Sequence, residues 1–419
     1  MNVAIVASEC APFAKTGGLA DVVGALPKYL AELGVDVKVF IPKYDSIDEK
    51  KYNLRYISDI GEIKVRVAGF PHSVYLHTAK LPNSNVDVYF IDCREYFYAK
   101  HTSYRWKIYT ENWDEDERFI FFNKAVIEFC QRLQWVPDVF HCNDWQTGLM
   151  QFFVKESYSW DKMFDHSVFL YSIHNIGYQG RFSKETLAKT ELNPEHIKFG
   201  GALEFEDSFS MMKGGILNSE VISTVGKTYA HEILTPEYGA GLQDILRSRE
   251  SDFFGVLNGI DTNEWNPETD KLIPFHFSKN DLSNKKKNKQ FLLGKTSLKF
   301  DENVPVIGII SRLVEQKGFD LIDDAINNLM SLNAQWVILG SGKERFEHLF
   351  KILNRVLPNK CWTYLGFNNE LAHLIEAGDD IFLMPSHYEP CGLNQMYSLR
   401  YGTVPIVRKT GGLADTVLA

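Results

Sequence analysis

The heptapeptide Lys-Thr-Gly-Gly-Leu-Ala-Asp occurs twice in the chain, at 15–21 and again at 409–415. Each copy follows a short apolar run, Val3-Ala4-Ile5-Val6-Ala7 or Val404-Pro405-Ile406-Val407, and each opens a predicted helix. A strand, a Gly-Gly turn and a helix start together make a seat for an anion. Glycine lets the backbone come close to a ligand, and the first turn of a helix has unpaired N–H groups and partial positive charge. A single such turn is as well explained by tight helix–strand packing. Its recurrence in both halves points to two similar halves gripping one phosphorylated ligand.

Other residue types add chemistry to the loops after predicted strands. Arg312 and Lys317 stand five residues apart in Ser311-Arg312-Leu313-Val314-Glu315-Gln316-Lys317-Gly318. Two cations on a strand-to-helix loop can neutralise a diphosphate as it leaves with growing negative charge. Taken alone they could equally be surface cations. Glu389, just before a predicted helix, could act on a ligand or only on the helix dipole. Asp144 and His174 end neighbouring strands, which would bring them together, although an N-cap and a core histidine are the plainer readings of each. Cys391 has no base placed beside it by sequence and reads as a structural or substrate-adjacent thiol.

These residues need elements to hold them. Strand-like and helix-like segments alternate through most of the chain, the pattern of an α/β protein with parallel sheets. Strands are predicted at 2–7, 36–41, 86–91, 138–142, 167–172 and 220–224, with a helix from Gly18 to Gly34 kinked at Pro27 and a β-hairpin within 53–79. A join near Val256–Asp261 divides the chain into domains 1–257 and 258–419. A polar stretch, 263–290, follows the join. Its basic run (Lys285, Lys286, Lys287, Lys289) reads as solvated surface. Beyond it come predicted strands 305–311, 335–340, 361–365, 380–384 and 404–408, alternating with helices 317–331, 342–355, 369–378 and 392–401. In such sheets ligands sit at the carboxyl ends of strands. The chain stops shortly after Gly411 opens its helix, so a longer natural C-terminus is expected. Residues 1–419 alone are expected to have a loosened second domain and little activity.

Bulk properties restrict the function. A length of 419 residues exceeds one ordinary core. The net charge of −9 argues against nucleic acid as a partner. Six scattered cysteines without CxxC spacing give neither a disulfide framework nor a zinc site, which fits a reducing cytoplasm. No apolar stretch approaches a membrane span, and no metal-ligand cluster is evident, so no metal or other cofactor is expected.

Together the runs SECAPFAKTGGLADVVGALPK, HCNDWQTG, IHNIGYQG, KGGI, VLNGID, SRLVEQKG, PSHYEPCGLNQ and RKTGGLADTV resemble the bacterial glycogen and starch synthases over the whole chain. That resemblance implies a GT-B fold, two Rossmann-like domains facing each other across a deep cleft, the first on the acceptor side and the second on the donor side. It also implies a retaining glucosyltransferase that extends an α-1,4-glucan from ADP-glucose. Arg312 and Lys317 match the family's diphosphate-binding pair, with Lys15 adding a third cation. Glu389 matches a glutamate that lies over the donor glucose and holds its hydroxyls. Asp144 and His174 match positions on the acceptor and donor-sugar side. Donor contacts are implied for Gly17, Gly18, Asp21, Asn258, Ser311, Cys391, Gly392, Leu393, Thr410, Gly411 and Gly412. Phe367 falls where a tyrosine usually stacks on the base; stacking survives that change and the hydroxyl is lost.

Three departures from the family pattern are Asn394 for a common Thr, Cys142-Asn143 before Asp144-Trp145, and Gly226 where Pro is frequent. None removes a charged site residue. The alternatives are a related GT-B enzyme using UDP-glucose, a GT-B epimerase, and an impaired fragment that only binds glucan or nucleotide. An NAD enzyme is disfavoured because the loop after the first strand lacks GxGxxG spacing. No glycosidase-type carboxylate pair is evident, and a front-face mechanism needs none.

Overall fold

The computed structural model describes residues 1–98, 108–109 and 114–418. They form two compact units, Met1–Val225 with Ala230–Val256, and Gly226–Tyr229 with Leu257–Ala419.

The first unit is built on a sheet of strands β1 (Asn2–Val6), β2 (Asp36–Pro42), β3 (Arg55–Tyr56), β4 (Ile63–Val67), β5 (Phe70–Lys80), β6 (Asp87–Asp92), β7 (Val139–Asn143) and β8 (Val168–Ile173). After the short strands β9 (Arg181–Phe182), β10 (Glu204–Phe205) and β11 (Ser208–Ser210), which pair among themselves, it is completed by β12 (Val221–Thr224) and β13 (Phe253–Gly255). The order is β13-β12-β8-β7-β1-β2-β6-β5-β3, with β4 paired to β5. From β13 to β6 the pairing is parallel, and β5 runs antiparallel beside β6. Apolar runs such as Val3–Val6 are buried on both sides, as parallel strands must be. The predicted hairpin is the β4–β5 pair, whose strand β4 alternates buried and exposed residues.

Helix Gly18–Glu32 continues through Pro27 and is followed by Gly34 at φ +82°. Helix Glu115–Arg132 was not announced by periodicity, because it is buried nearly all round. Its interior charges are paired: Arg118 with Glu115, Lys124 with Glu191 at 3.0 Å, and Asp116 with Lys189 at 2.8 Å.

The second unit holds β14 (Val306–Ile310), β15 (Gln335–Gly340), β16 (Cys361–Leu365), β17 (Ile381–Met384) and β18 (Val404–Val407), all parallel in the order β16-β15-β14-β17-β18. Trp336, Ile338, Phe346 and Phe350 pack on one face, and Val337, Leu371, Leu374 and Leu292 on the other. The predicted helix 317–331 is broken into Phe319–Asp324 and Ile326–Ser331, with Ala325 off helical geometry between them. The segment after the join is bound to this unit by Trp265. Its ring lies flat between His373 and Tyr397, 3.8 Å from each, while Asp270 accepts from Tyr401 Oη at 2.6 Å and pairs with His373 Nδ1 at 2.8 Å.

Only half of the basic run is solvated, Lys286 and Lys287 being exposed. The run lies in helix Ser283–Gly294, where Lys285 and Lys289, one turn apart, both point inward. Lys285 Nζ donates to Thr403 Oγ1 at 2.7 Å and to the carbonyl of Glu376 at 3.1 Å, beside the buried carboxyls of Glu376 and Asp379. Burial pushes both carboxyls far above the usual carboxylate range. Lys289 Nζ donates to Asp380 at 2.7 Å. Lys286 instead pairs with Glu302 at the surface.

All six cysteines are buried free thiols, and burial raises Cys93 and Cys361 to about 11. Among the described residues no helix is long and apolar enough to cross a membrane.

The two adjacent lysines should therefore behave differently. Lys285→Ala leaves buried polar groups without their cation and is expected to cost about 3 kcal/mol in urea unfolding. Lys286→Ala is expected to leave the midpoint almost unchanged. Equal midpoints for the two variants would return the whole run to the surface.

Candidate active site

In both parallel sheets the chain leaves a central strand to one side and later returns to the other. These reversals lie between β1 and β7, and between β14 and β17, the positions at whose carboxyl edge parallel sheets commonly take their ligands. Asp144, Arg312, Lys317 and Glu389 follow these strands; His174, Asn258 and Thr410–Gly412 follow the neighbouring strands β8, β13 and β18.

In the first unit, the loop after β1 turns back on itself around Glu9, a residue the sequence reading did not single out. Its buried carboxylate accepts from the backbone N–H groups of Thr16 at 2.5 Å and Gly17 at 3.2 Å. It also accepts from Thr16 Oγ1 at 2.6 Å and Tyr109 Oη at 2.7 Å. Burial raises its pKa, and these donors oppose the rise. Gly17 caps helix Gly18–Glu32, so Glu9 supplies negative charge where a helix start favours it. Lys15 Nζ donates to Asp21 at 2.6 Å, one turn into the same helix.

Asp144 follows β7 in the same unit at φ +57°, ψ −178°, a backbone region that costs about 1–3 kcal/mol for a residue with a side chain. Its Oδ1 accepts from His174 N at 2.7 Å and Asn175 N at 3.4 Å, tying the ends of β7 and β8 together. Burial raises this carboxyl to about 7, against those two donors and helped by the charge of Glu9. His174 is pushed the other way, to about 3, by burial and by the nearby His141. Its Nε2 lies 2.9 Å from Asn143 Oδ1. Asp144 and His174 are thus brought together, as their strand-end positions predict.

In the second unit, Lys317 Nζ donates to Glu389 Oε2 at 2.5 Å, and Ser386 Oγ donates to the same oxygen at 3.0 Å. Gly318, at φ +75°, lets this happen: a Cβ there would stand 2.1 Å from the carbonyl oxygen of Pro385. Ser311 and Arg312 lie at the end of β14, with Arg312 exposed. Asn258 hydrogen-bonds the Cys391 thiol, which burial raises to about 12. Gly392 and Leu393 lead into helix Asn394–Tyr401, and Asn394 Nδ2 donates to Ile310 O at 2.8 Å, binding that helix to β14. Phe367 lies apart from this group, on the loop after the edge strand β16, and is 76% exposed.

The repeated heptapeptide makes different contacts in its two settings. In the second copy Thr410 precedes helix Gly411–Thr416, and Gly412 N donates to the carbonyls of Glu389 and Pro390, each at 3.1 Å. A Cβ on Gly411 would stand 1.9 Å from the Glu389 carbonyl oxygen. Here the glycines serve close packing against the Glu389 loop. Asp415, the counterpart of Asp21, accepts instead from Thr228 N at 3.1 Å and Thr228 Oγ1 at 2.6 Å.

Among the described residues no group of three or more His, Cys, Asp or Glu side chains is placed to hold a metal ion. Glu9, Asn143 and Ser386 join the candidate site from the structure. The signal available for Glu9 was a carboxylate in the loop directly after the first strand, six residues before Lys15.

Comparison with known proteins gives these loops a family. Residues 2–248 match the model of the starch synthase catalytic domain, and residues 294–419 match that of the group 1 glycosyl transferases. The chain is 42% identical to glycogen synthase 1 of Geobacter sulfurreducens, covering all of this chain and 82% of that protein. It is 43% identical to the glycogen synthase of Thermosipho africanus, covering 85% of it, and 44% identical to that of Desulforudis audaxviator, covering 83%. Among solved structures, the catalytic domain of starch synthase IV from Arabidopsis thaliana, bound to ADP and acarbose, matches with a TM-score of 0.92. Its identity is 34%, over all of this chain and 84% of that one. The chain therefore belongs to the glycogen and starch synthase family and is a glycosyltransferase with the GT-B fold.

Proposed function

We propose that this transferase moves glucose from ADP-glucose to the non-reducing 4-hydroxyl of an α-1,4-glucan, with retention at the anomeric carbon, in the cytoplasm. The observation that carries the donor assignment is the Lys317–Glu389 pair at the reversal point between β14 and β17, where a parallel sheet takes its ligand. The ADP on the starch synthase relative supports the same nucleotide.

In this reading Arg312, Lys317 and Lys15 meet the charge of the departing diphosphate, so no metal is assigned a part. Glu389 holds the glucose hydroxyls, and its contact with Lys317 keeps sugar and diphosphate in register. Ser311, Asn258, Cys391, Gly392, Leu393, Thr410, Gly411 and Gly412 shape the donor seat, and Phe367 stacks on the base. Asp144 and His174 serve the sugar and acceptor, and Gly17, Gly18 and Asp21 contact the donor. A phosphate oxygen of the leaving group takes the acceptor proton as the glycosidic bond breaks on the same face. Glucan-primed incorporation measured side by side with ADP-glucose and UDP-glucose tests the donor; equal or faster turnover with UDP-glucose overturns it.

Two further outcomes are expected. Lys317→Ala should lower kcat by 10²–10³-fold, about 3–4 kcal/mol of transition-state stabilisation. Because Lys317 and Glu389 share a contact, the double variant with Glu389→Ala should fall well short of the sum of the single losses. Additive losses would show that the two act separately.

Asp144 gives a pH signature. Its folded pKa of about 7 lies above its ordinary value of 3.8. Above pH 7 the folded protein holds a charge it disfavours, and this penalty fades as the pH falls through 7 towards 4, where the folded carboxyl is neutral. Asp144→Asn should therefore be more stable than the wild type at pH 8, by on the order of 2 kcal/mol, with the difference shrinking towards pH 4. It should also be less active. A pH-independent difference in thermal midpoint would refute the raised carboxyl.

A further inference from the structure

We propose that Asn143 is a positioning residue that sets the tautomer of His174, so that the imidazole presents an unprotonated Nδ1 to its ligand. Asn143 ends β7 and is completely buried. Its Nδ2 donates to two backbone carbonyls, Val6 O at 3.2 Å and His141 O at 3.0 Å. Carbonyl oxygens only accept, so the amide has one sensible orientation: the reverse would set Oδ1 against both of them. Oδ1 must then face the ring, 2.9 Å from His174 Nε2. An amide oxygen also only accepts, so Nε2 carries the hydrogen.

The ring is neutral, since burial and the neighbouring His141 both oppose a second proton. A neutral imidazole has one N–H, and with that on Nε2 the lone pair is left on Nδ1. The backbone of His174 is fixed separately by Asp144 Oδ1 at 2.7 Å, so both the main chain and the ring are held from β7.

This arrangement determines what His174 can recognise. Nδ1 accepts from a donor such as a sugar O–H, and it repels a phosphate oxygen or a carboxylate. The sugar-hydroxyl part rests on the function proposed above; the tautomer does not.

The test uses the whole chain with ¹⁵N-labelled histidine, the His174 signals being assigned by their loss in His174→Gln. In the wild type from pH 6 to 9, Nε2 should show a protonated shift and Nδ1 an unprotonated one. Asn143→Leu should scramble these shifts. Asn143→Asp, whose protonated carboxyl can donate its O–H to the Val6 and His141 carbonyls and turn its C=O to the ring, should restore the Nε2–H form. A wild-type ring protonated on Nδ1, or an unchanged tautomer in Asn143→Leu, overturns the proposal.

Activity provides a second readout. Asn143→Leu should lower kcat/KM for ADP-glucose on the order of 10–100-fold, by analogy with the loss when the hydrogen-bond partner that orients a metal-bound histidine is removed. For one analogue with a single hydroxyl replaced by hydrogen, the wild type and the variant should be equally slow. If no analogue abolishes the difference while the nitrogen shifts behave as stated, the sugar assignment fails and the tautomer stands.

Discussion

Each unit relies on one glutamate to bring its loops together at the carboxyl edge of its sheet. Strands and helix starts leave N–H and C=O groups there without regular partners. In the first unit Glu9 collects the N–H groups of Thr16 and Gly17 and so fixes the mouth of helix Gly18–Glu32. In the second unit Glu389 works at both ends. Its carboxylate takes Lys317 and Ser386, and its carbonyl takes Gly412. Three loops, after β14, β17 and β18, are braced through that single residue. Without it, the cation of Lys317 and the start of the last described helix would both lose their reference point.

Legibility of the fold followed burial. Strands β15 and β16 and helix Asn369–Gly378 are found at their predicted limits, because apolar runs broken by Gly, Asn and Asp mark parallel strands and short helices plainly. Helix Glu115–Arg132 was hidden by having no solvent face to set a period. The basic run misled for a related reason. Lysine is seldom buried, so composition favoured the surface, and only the tertiary partners of Lys285 and Lys289 show otherwise.

The candidate site was legible where chemistry depends on residue type and less so where it depends on company. Asp144 with His174, and Lys317 with Glu389, were foreseen as residues, and the structure brings each pair close. That the twin heptapeptides would diverge in use could not be read from identical letters. Asp21 finds Lys15 within its own copy, whereas Asp415 finds Thr228, nearly two hundred residues back along the chain. Glu9 and Asn143 act through hydrogen bonds that only the folded loop creates.

The interior placement of the thiols has a practical side. Every native cysteine is enclosed, and burial holds Cys391, beside the site, at about 12, so thiolate is scarce at neutral pH. A cysteine introduced at an exposed position on either unit would meet little competition from native thiols. Maleimide dyes or spin labels could then be attached without first stripping the native residues, which makes the chain, in its natural composition, a ready host for distance spectroscopy.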